Sequence, residues 1–597
     1  MLNIEATLNS KFPNLDQSLK GRLAKKFIKR FAHEDEINEF IQSHPHLEGV
    51  SFIHKAFEHF DFAYHICSAS RKNIPAQGRV IIVANHPIGT LDGMALVDMV
   101  RSIRKDVKVV ANELLAQVKP LRSCFFAINN MSPRASHKTQ FKAMTDALEL
   151  DQAVIVFPAG EVSRFGRKGI KDADWKTGFL KLAKKTNTPI LPLYIEARNS
   201  LTFYGASMLY KPLGTMLLMN EMFNKNGRTI GLKTGKLIPA QEISNSPLPL
   251  NELAQKVKKS VYQLKCKKSK SPLFDTVDTI SHPSCGQSMR EELKQQEHLL
   301  TTPTGLDLYI VDYQADSALM QELGRVRELT FRAVGEGTGT CWDLDQYDLH
   351  YRHLILWDDK KSQIAGGYRL GECKNLIEKY GRSSLYANHM FTLNESINPY
   401  LDQTLELGRC FVQPQYWGTR ALDYLWYGMG NYLSKNPQIR YLIGSISLSN
   451  SYSQRARELI VSFYNKQLGM DKKLANAKLP FVVSEAIQAV ADKEFTGSYQ
   501  DSFKKLNILL EENNEKLPML FKQYVELSED KGTQFIDFNV APDFCDAIGA
   551  LIMFDLTKIK QSKKDRYLKG FKPRSQNEQQ NERQSATKPK SEKVKVA

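Results

Sequence analysis

Val80-Ile81-Ile82-Val83-Ala84-Asn85-His86-Pro87-Ile88-Gly89-Thr90-Leu91-Asp92 is the stretch on which the reading of this chain turns. Its β-branched apolar run predicts a buried strand, and the strand delivers a His into a loop with an Asp six positions later. An imidazole titrates near neutrality, so it can take a proton from an alcohol while a carboxylate fixes its tautomer. His86 with Asp92 therefore suits hydroxyl activation, with acyl transfer to oxygen as the expected reaction. Taken alone, the pair also fits a loop His beside a turn-forming Asp.

Two further segments weigh against the plain reading. Ala153-Val154-Ile155-Val156-Phe157-Pro158-Ala159-Gly160-Glu161-Val162-Ser163-Arg164 is another apolar run opening into a polar glycine loop, and Pro189-Ile190-Leu191-Pro192-Leu193-Tyr194 is a third strand carrying proline. In this order the elements resemble the lysophospholipid acyltransferase family, whose blocks are Asn-His-x-x-x-x-Asp, Phe-Pro-x-Gly and a Pro-containing strand. The likeness covers residues 50 to 260. It implies His86 as base, Asp92 as its orienting partner, Asn85 as a substrate contact beside them, and Gly160, Glu161, Ser163 and Arg164 on the wall that binds the acceptor or the oxyanion.

This chain departs from the family pattern in two ways. Five residues, not four, separate His86 from Asp92, so the loop must bulge by one for the pair to meet. Where the family has Phe-Pro-Glu-Gly-Thr-Arg, Ala159 replaces Glu and Val162 replaces Arg; the second block, Phe125-Phe126-Ala127-Ile128-Asn129, also lacks its arginine. Those arginines would be bidentate clamps for a glycerol phosphate. An aminolipid acceptor fits their absence better, although Arg134 and Arg164 are available to compensate.

With 597 residues the chain exceeds what one core organises, so two or more domains are expected. A formal charge of +17 implies an acidic partner: nucleic acid, an anionic membrane surface or an acidic carrier protein. No zinc-finger, RNA-binding or helix-turn-helix pattern stands out, so nucleic acid is set aside and membrane and carrier remain. The eight cysteines form no Cys-x-x-Cys pair and read as reduced, small apolar residues, which points to the cytoplasm. The N-terminus lacks the order of a signal peptide, and no apolar run approaches the roughly eighteen residues of a membrane span. Peripheral attachment to the cytoplasmic face of the inner membrane is the expectation.

Leu19, Leu23, Phe27 and Phe31 recur every four residues among cations, as in a basic helix lying on anionic lipid or an ordinary domain helix. Met208 to Met219 and Met222-Phe223 are rich in Met and Leu, which suits an acyl groove or core packing. The expected organisation is a basic helical segment over 1–50, an O-acyltransferase-like domain over 51–264, a linker over 265–303 with a short helix from Arg290 to His298, a second domain over 304–557, and a basic disordered tail over 558–597.

The second domain reads as strand 308–311, helix 315–331, strands 354–356 and 364–370, then Leu405 to Val412, helix 421–433 and strand 441–447. The strand, the Gln415-Tyr416-Trp417-Gly418-Thr419 loop and the helix resemble the GNAT acyltransferase superfamily, where amides at a helix start hold the donor's phosphates. Arg420 stands where that superfamily wants Gly or Ala, so the phosphopantetheine arm of an acyl carrier protein is the expected donor, ahead of acyl-CoA. Within the superfamily, Val326-Arg327-Glu328-Leu329-Thr330-Phe331, Asp345-Gln346-Tyr347-Asp348, Gly367-Tyr368-Arg369-Leu370 and Glu406-Leu407-Gly408-Arg409 resemble the acyl-homoserine-lactone synthases and ornithine N-acyltransferases. Attack on a thioester needs a neutral amine, so Glu406, Asp345 or Asp348 is expected to hold the ammonium and accept its proton. Arg327, Arg369 or Arg409 is expected to grip the amino acid's carboxylate. Backbone amides of a split strand pair would steady the oxyanion. Cys410 is a weaker nucleophile candidate, and no bound cofactor or metal is expected.

The fold expectation is thus α/β: a glycerolipid-acyltransferase-type αβ domain followed by a GNAT-like α+β domain with a mixed central sheet. The whole arrangement resembles the bifunctional ornithine lipid synthases. That resemblance implies N-acylation of an amino acid with a 3-hydroxyacyl chain, then O-acylation of the lyso-lipid's hydroxyl. The alternatives are a 1-acylglycerol-3-phosphate-type acyltransferase fused to a GNAT domain of other substrate, and a peripheral membrane scaffold without turnover. Ornithine, lysine and glycine all remain open as the amino acid.

Overall fold

Buried apolar strands organise both halves of the chain, for which a computed structural model describes residues 33–110, 118–126, 133–166, 169–209, 218, 221–223, 228–266, 271–529 and 531–569. The chain divides into two compact units, Met1–His282 and Pro283–Ala597. In the first, strands β1 (Phe62–Ile66), β2 (Val80–Ala84), β3 (Val107–Val109), β4 (Ala153–Val156), β5 (Ile190–Glu196) and β6 (Arg228–Thr234) form one sheet in the order β1-β6-β5-β2-β4-β3. Every pairing is parallel except β5 with β6. All of β2 is buried: Val80, Ile82 and Ala84 pack into a cluster with Leu91 and Ala95 of helix α1 (Thr90–Arg101), and Ile81 and Val83 into another with Leu180 and Ala183 of helix α2 (Gly178–Thr186). A parallel strand covered by helices on both faces needs apolar residues on both faces, which is why β2 reads as an unbroken run.

The second unit holds an eight-stranded mixed sheet. Its strands are β7 (Glu297–Thr301), β8 (Asp307–Asp312), β9 (Arg352–Asp358), β10 (Gln363–Glu372), β11 (Thr404–Val412), β12 (Tyr441–Leu448), β13 (Thr533–Ala541) and β14 (Ala547–Asp555), in the order β13-β14-β12-β11-β10-β9-β8-β7. Helix α3 (Ala318–Ala333) packs Leu323 and Val326 against Ile355 and Trp357 on one face. Helix α4 (Ala421–Lys435) packs Leu425 and Met429 against Leu354 and Leu356 on the other. The alternation along β9 is what a strand between two helical layers requires. Only β11 and β12 run parallel as neighbours, and they are paired only over Thr404–Leu407 and Tyr441–Gly444. Beyond that point the two strands part.

Several boundaries differ from the sequence reading. The stretch expected as linker contains the helix Gly286–Leu293, shorter and earlier than the one expected at 290–298, and β7, which pairs antiparallel with β8. Met289, Leu293 and Leu300 are buried, few enough among Glu, Gln and Lys to pass for linker sequence. Residues 33–50 belong to the first unit, because Ile37, Phe40, Ile41 and Leu47 pack on its core. Order also runs past Lys558: Tyr567 is buried against α4, and Arg566 pairs with Asp423 at 2.6 Å. The helices Glu485–Glu494, Tyr499–Glu511 and Met519–Leu527, between β12 and β13, were not anticipated. The amphipathic stretch from Ser18 to Phe31, most of the Met-rich stretch after Met208, and the end of the chain from 570 lie outside the described residues.

Candidate active sites

In the first unit, β2 ends at Ala84 and the chain enters a short loop that α1 closes. Gly89 sits at φ +100°, a conformation that only glycine takes readily, and it absorbs the extra residue between His86 and Asp92. Asp92 lies in the first turn of α1, where a carboxylate caps exposed amides. Its Oδ2 accepts Ile88 N at 2.9 Å and Gly89 N at 3.1 Å. His86 Nδ1 lies 3.1 Å from the same oxygen, although its direction falls short of a hydrogen bond, and Asp92 Oδ1 is buried without a partner. The imidazole stacks on Phe157 with centroids 4.2 Å apart and keeps a fifth of its surface open. Nδ1 faces the carboxylate, so Nε2 is the nitrogen left to take a proton.

A second carboxylate, missed in the sequence, fixes this loop from the other side. Asp172 Oδ1 accepts the His86 backbone N–H at 3.2 Å and the Ser163 hydroxyl at 2.5 Å, and Oδ2 accepts Trp175 Nε1 at 2.9 Å. Ser163 N in turn donates to His86 O at 2.7 Å. Ser163, expected on the acceptor wall, thus ties the glycine loop to the His86 loop. Asn85 is likewise corrected from substrate contact to anchor: its buried carboxamide donates to Ile195 O at 3.0 Å and accepts Ile195 N at 2.7 Å, extending β2 against β5. Gly160 turns at φ +68°, and Glu161 pairs with Arg164 at 3.3 Å while Arg164 also donates to Ser207. The side chain of Arg134 lies outside the described residues.

In the second unit the residues singled out converge. Arg327 pairs with Asp348 at 2.8 Å; Arg369 with Asp345 at 2.6 Å and Asp348 at 3.3 Å; Arg409 with Asp345 and Asp343 at 2.8 Å each. Arg327 Nη2 donates to His353 Nδ1 at 3.1 Å. Burial works against charge on Asp348, yet Arg327 and Arg369 hold its carboxyl well below the usual range. Burial and then Arg327 push the His353 imidazole down to about 3, so it accepts as a neutral ring. Asp343 goes the other way, raised by burial against the pull of Arg409. The arginines expected to wait for a substrate carboxylate are therefore already paired, and Arg369 is enclosed by the rings of Tyr347, Tyr351 and Tyr386. Asp343 lay within the run Asp343-Leu344-Asp345-Gln346-Tyr347-Asp348, a visible signal passed over; His353, Tyr351 and Tyr386 gave none.

Glu406 is buried and pushed up by that burial, but both oxygens are engaged: Ala387 N donates to Oε1 at 2.6 Å, and Tyr386 N at 3.1 Å with the Tyr351 hydroxyl to Oε2. It fixes the loop that carries Tyr386. Where β11 and β12 part, Gly408, Arg409, Cys410, Gly444, Ser445 and Ile446 line a cavity floored by Tyr368 and Tyr524. Arg409 has φ +49°, and Arg409 with Cys410 stands opposite one residue of β10, a bulge that frees strand backbone beside the cavity. Cys410 keeps some solvent contact, yet the packing around its thiol pushes it up to about 12, unlike a thiolate nucleophile. No cluster of His, Cys, Asp and Glu able to hold a metal occurs among the described residues.

Residues 6–270 match the Acyltransferase family, and residues 326–427 match the acetyltransferase (GNAT) domain. A glycine N(alpha)-acyltransferase of Phocaeicola vulgatus is 30% identical over 309 residues, 49% of this chain and 94% of that protein. A lyso-glycine lipid O-acyltransferase of the same organism is 32% identical over 251 residues, 41% of this chain and 88% of that protein. The chain belongs to the acyltransferase family. An L-ornithine N(alpha)-acyltransferase of Rhizobium meliloti is 29% identical over 117 residues, 19% of this chain and 38% of that protein. This acyltransferase thus joins an α/β acyltransferase domain to a GNAT domain with a mixed sheet. Chemically, an imidazole with Nε2 open can take a proton from an alcohol, and backbone amides where two strands part can stabilise an oxyanion.

Proposed function

We propose that the chain makes a diacylated, phosphorus-free amino-acid lipid in two steps. The GNAT-bearing unit transfers a 3-hydroxyacyl chain from a thioester, on acyl carrier protein or on coenzyme A, to the α-amino group of an amino acid. The first unit then acylates the new hydroxyl, with His86 taking its proton. The observation that carries this reading is the joining, in one chain, of a His86–Asp92 pair at a strand end and a cavity where two parallel strands part. Relatives named for the two successive steps support it. Tethering keeps the lyso-intermediate at a high local concentration for the second step.

Of the three acceptors left open by the sequence, ornithine, lysine and glycine, glycine is favoured. The glycine-named relative matches over nearly its whole length, whereas the ornithine-named one matches over 38% of its own. The product belongs at a membrane surface, and the +17 charge suits peripheral contact with anionic lipid and with an acidic carrier. The test is expression in a host that lacks such lipids, followed by a search of the extract for a ninhydrin-negative, phosphorus-free, doubly acylated glycine. With His86→Ala the mono-acylated amino acid accumulates instead; an unchanged lipid profile in both strains refutes the reading.

A further inference from the structure

One buried carboxylate of the second unit has no part in the arginine cluster. Glu336 lies on the Gly335-Glu336-Gly337-Thr338-Gly339 loop after α3, where Gly335 and Gly339 adopt φ +79° and +77°. The loop is held from several sides. Glu328 accepts Thr338 N and Gly339 N at 3.0 Å each, Ser449 Oγ donates to Val334 O at 2.9 Å, and Cys545 Sγ donates to Gly337 O at 3.3 Å. So fixed, Glu336 is 7% exposed and accepts a single hydrogen bond, from Ser447 Oγ at 2.7 Å. No cation pairs with it among the described residues. A buried carboxylate with one neutral donor and no counter-ion is a costly way to pack a loop, and it is what a site for a proton-bearing ligand requires.

Its position points to the same ligand. Ser447 and Ser445 alternate along one face of β12, and Ser445 stands on the cavity wall with its hydroxyl buried and unbonded. Phe544, beside Cys545, lies under the Arg409 guanidinium at 4.6 Å. Glu336 is thus bonded to the exposed Ser447, the next residue after Ser445 on that face of the strand. Burial pushes the Glu336 carboxyl up, toward the proton affinity that a base for an ammonium group needs. The titratable groups facing it are Cys545 and Tyr452, both raised by burial and so neutral near pH 7.

We infer that Glu336 receives the ammonium group of the acceptor and takes its proton, with Ser447 orienting the carboxylate and Ser445 bonding the amine as it turns toward the thioester. This rests on the proposed N-acylation. The ammonium gives one proton to Glu336, and the amine lone pair forms the C–N bond at the thioester carbonyl carbon. The C–S bond then breaks with its electron pair on sulfur. The second amine proton passes to that thiolate, giving amide and free thiol, and Glu336 returns its proton to solvent.

The test uses the purified full chain, glycine and a 3-hydroxyacyl thioester of acyl carrier protein, with thiol release followed across pH. In Glu336→Gln the expected kcat for glycine falls by about 100-fold near neutrality. The deficit shrinks at least about tenfold as pH rises to where glycine's amine is neutral in solution, and O-acylation of a supplied lyso-lipid is unchanged. A purely structural role would give a deficit that pH does not relieve. Rates within threefold of wild type, or a deficit equal at all pH values, overturn the assignment. Should Glu336→Gln fail to fold, Ser447→Ala carries the test, with a loss of about tenfold expected and a wild-type rate overturning it. A wild-type chain that acylates no amine overturns the parent reading as well.

Discussion

Replacing Asp92 by Asn and by Ala separates geometry from charge in the first unit. All three groups that meet this carboxylate, Ile88 N, Gly89 N and His86 Nδ1, converge on Oδ2, while Oδ1 is buried and unbonded. In Asp92→Asn the carboxamide oxygen can occupy the Oδ2 place and keep every contact, with the amide nitrogen where an unbonded atom already sits. Only the charge that steadies the protonated imidazole is lost. The contact to Nδ1 is electrostatic, and at 3.1 Å a charge pair is worth about 1.3 kcal/mol even at the dielectric of water, so kcat is predicted to fall by at least about tenfold. Asp92→Ala leaves two buried amides unmet, at about 1–3 kcal/mol each, and frees the ring, so unfolding stability drops by about 2–6 kcal/mol and kcat by about 10²–10⁴. The assay is thiol release from an acyl thioester with a hydroxylated lyso-lipid as sole acceptor, beside denaturant unfolding. If a well-folded Asn variant is as slow as the Ala variant, charge rather than placement governs the site and the reasoning fails.

Asp172→Ala removes the acceptor for the His86 amide, Ser163 and Trp175, and such a displacement of the catalytic loop is expected to lower O-acylation by about 10–100-fold without affecting N-acylation; comparing both activities of one preparation checks it. Arg369→Met leaves Asp345 and Asp348 short of a partner in the interior and is expected to cost about 3–5 kcal/mol in the second unit, read by denaturant titration. Acid should destabilise that unit early. His353 is held near 3 in the fold but titrates at about 6.5 when unfolded, so the unfolded chain binds the extra proton. The stability it contributes is complete above about 6.5 and falls, by about 1.4 kcal/mol per pH unit, as pH drops toward 3. A midpoint unchanged between pH 7 and 5 would refute this.

The His86 site was legible because its parts are local: one strand, one loop and the first turn of one helix carry both members of the pair. Asp172 was not, since it reaches the same loop from a hairpin 86 residues further on and no spacing rule connects them. Asn85 illustrates a different difficulty, because a polar residue beside a catalytic one can serve the backbone instead of the substrate. In the second unit the charged blocks were identified, yet pattern alone could not say that arginines and aspartates would neutralise one another. The segment before Leu306 was misjudged because Met289, Leu293 and Leu300 are enough to dock a helix and a strand on a sheet that already exists, but too few to announce either.

Three guanidinium groups and three carboxylates, Asp343, Asp345 and Asp348, meet in the second unit with no surplus of either sign. An amino acid bringing its own carboxylate to that cluster must either unseat an aspartate from its arginine or arrive together with a hydrogen ion. Asp343, the member whose burial already favours the acid form, is the natural place for that ion to settle. Acceptor affinity there would then track the acidity of the medium rather than its ionic strength.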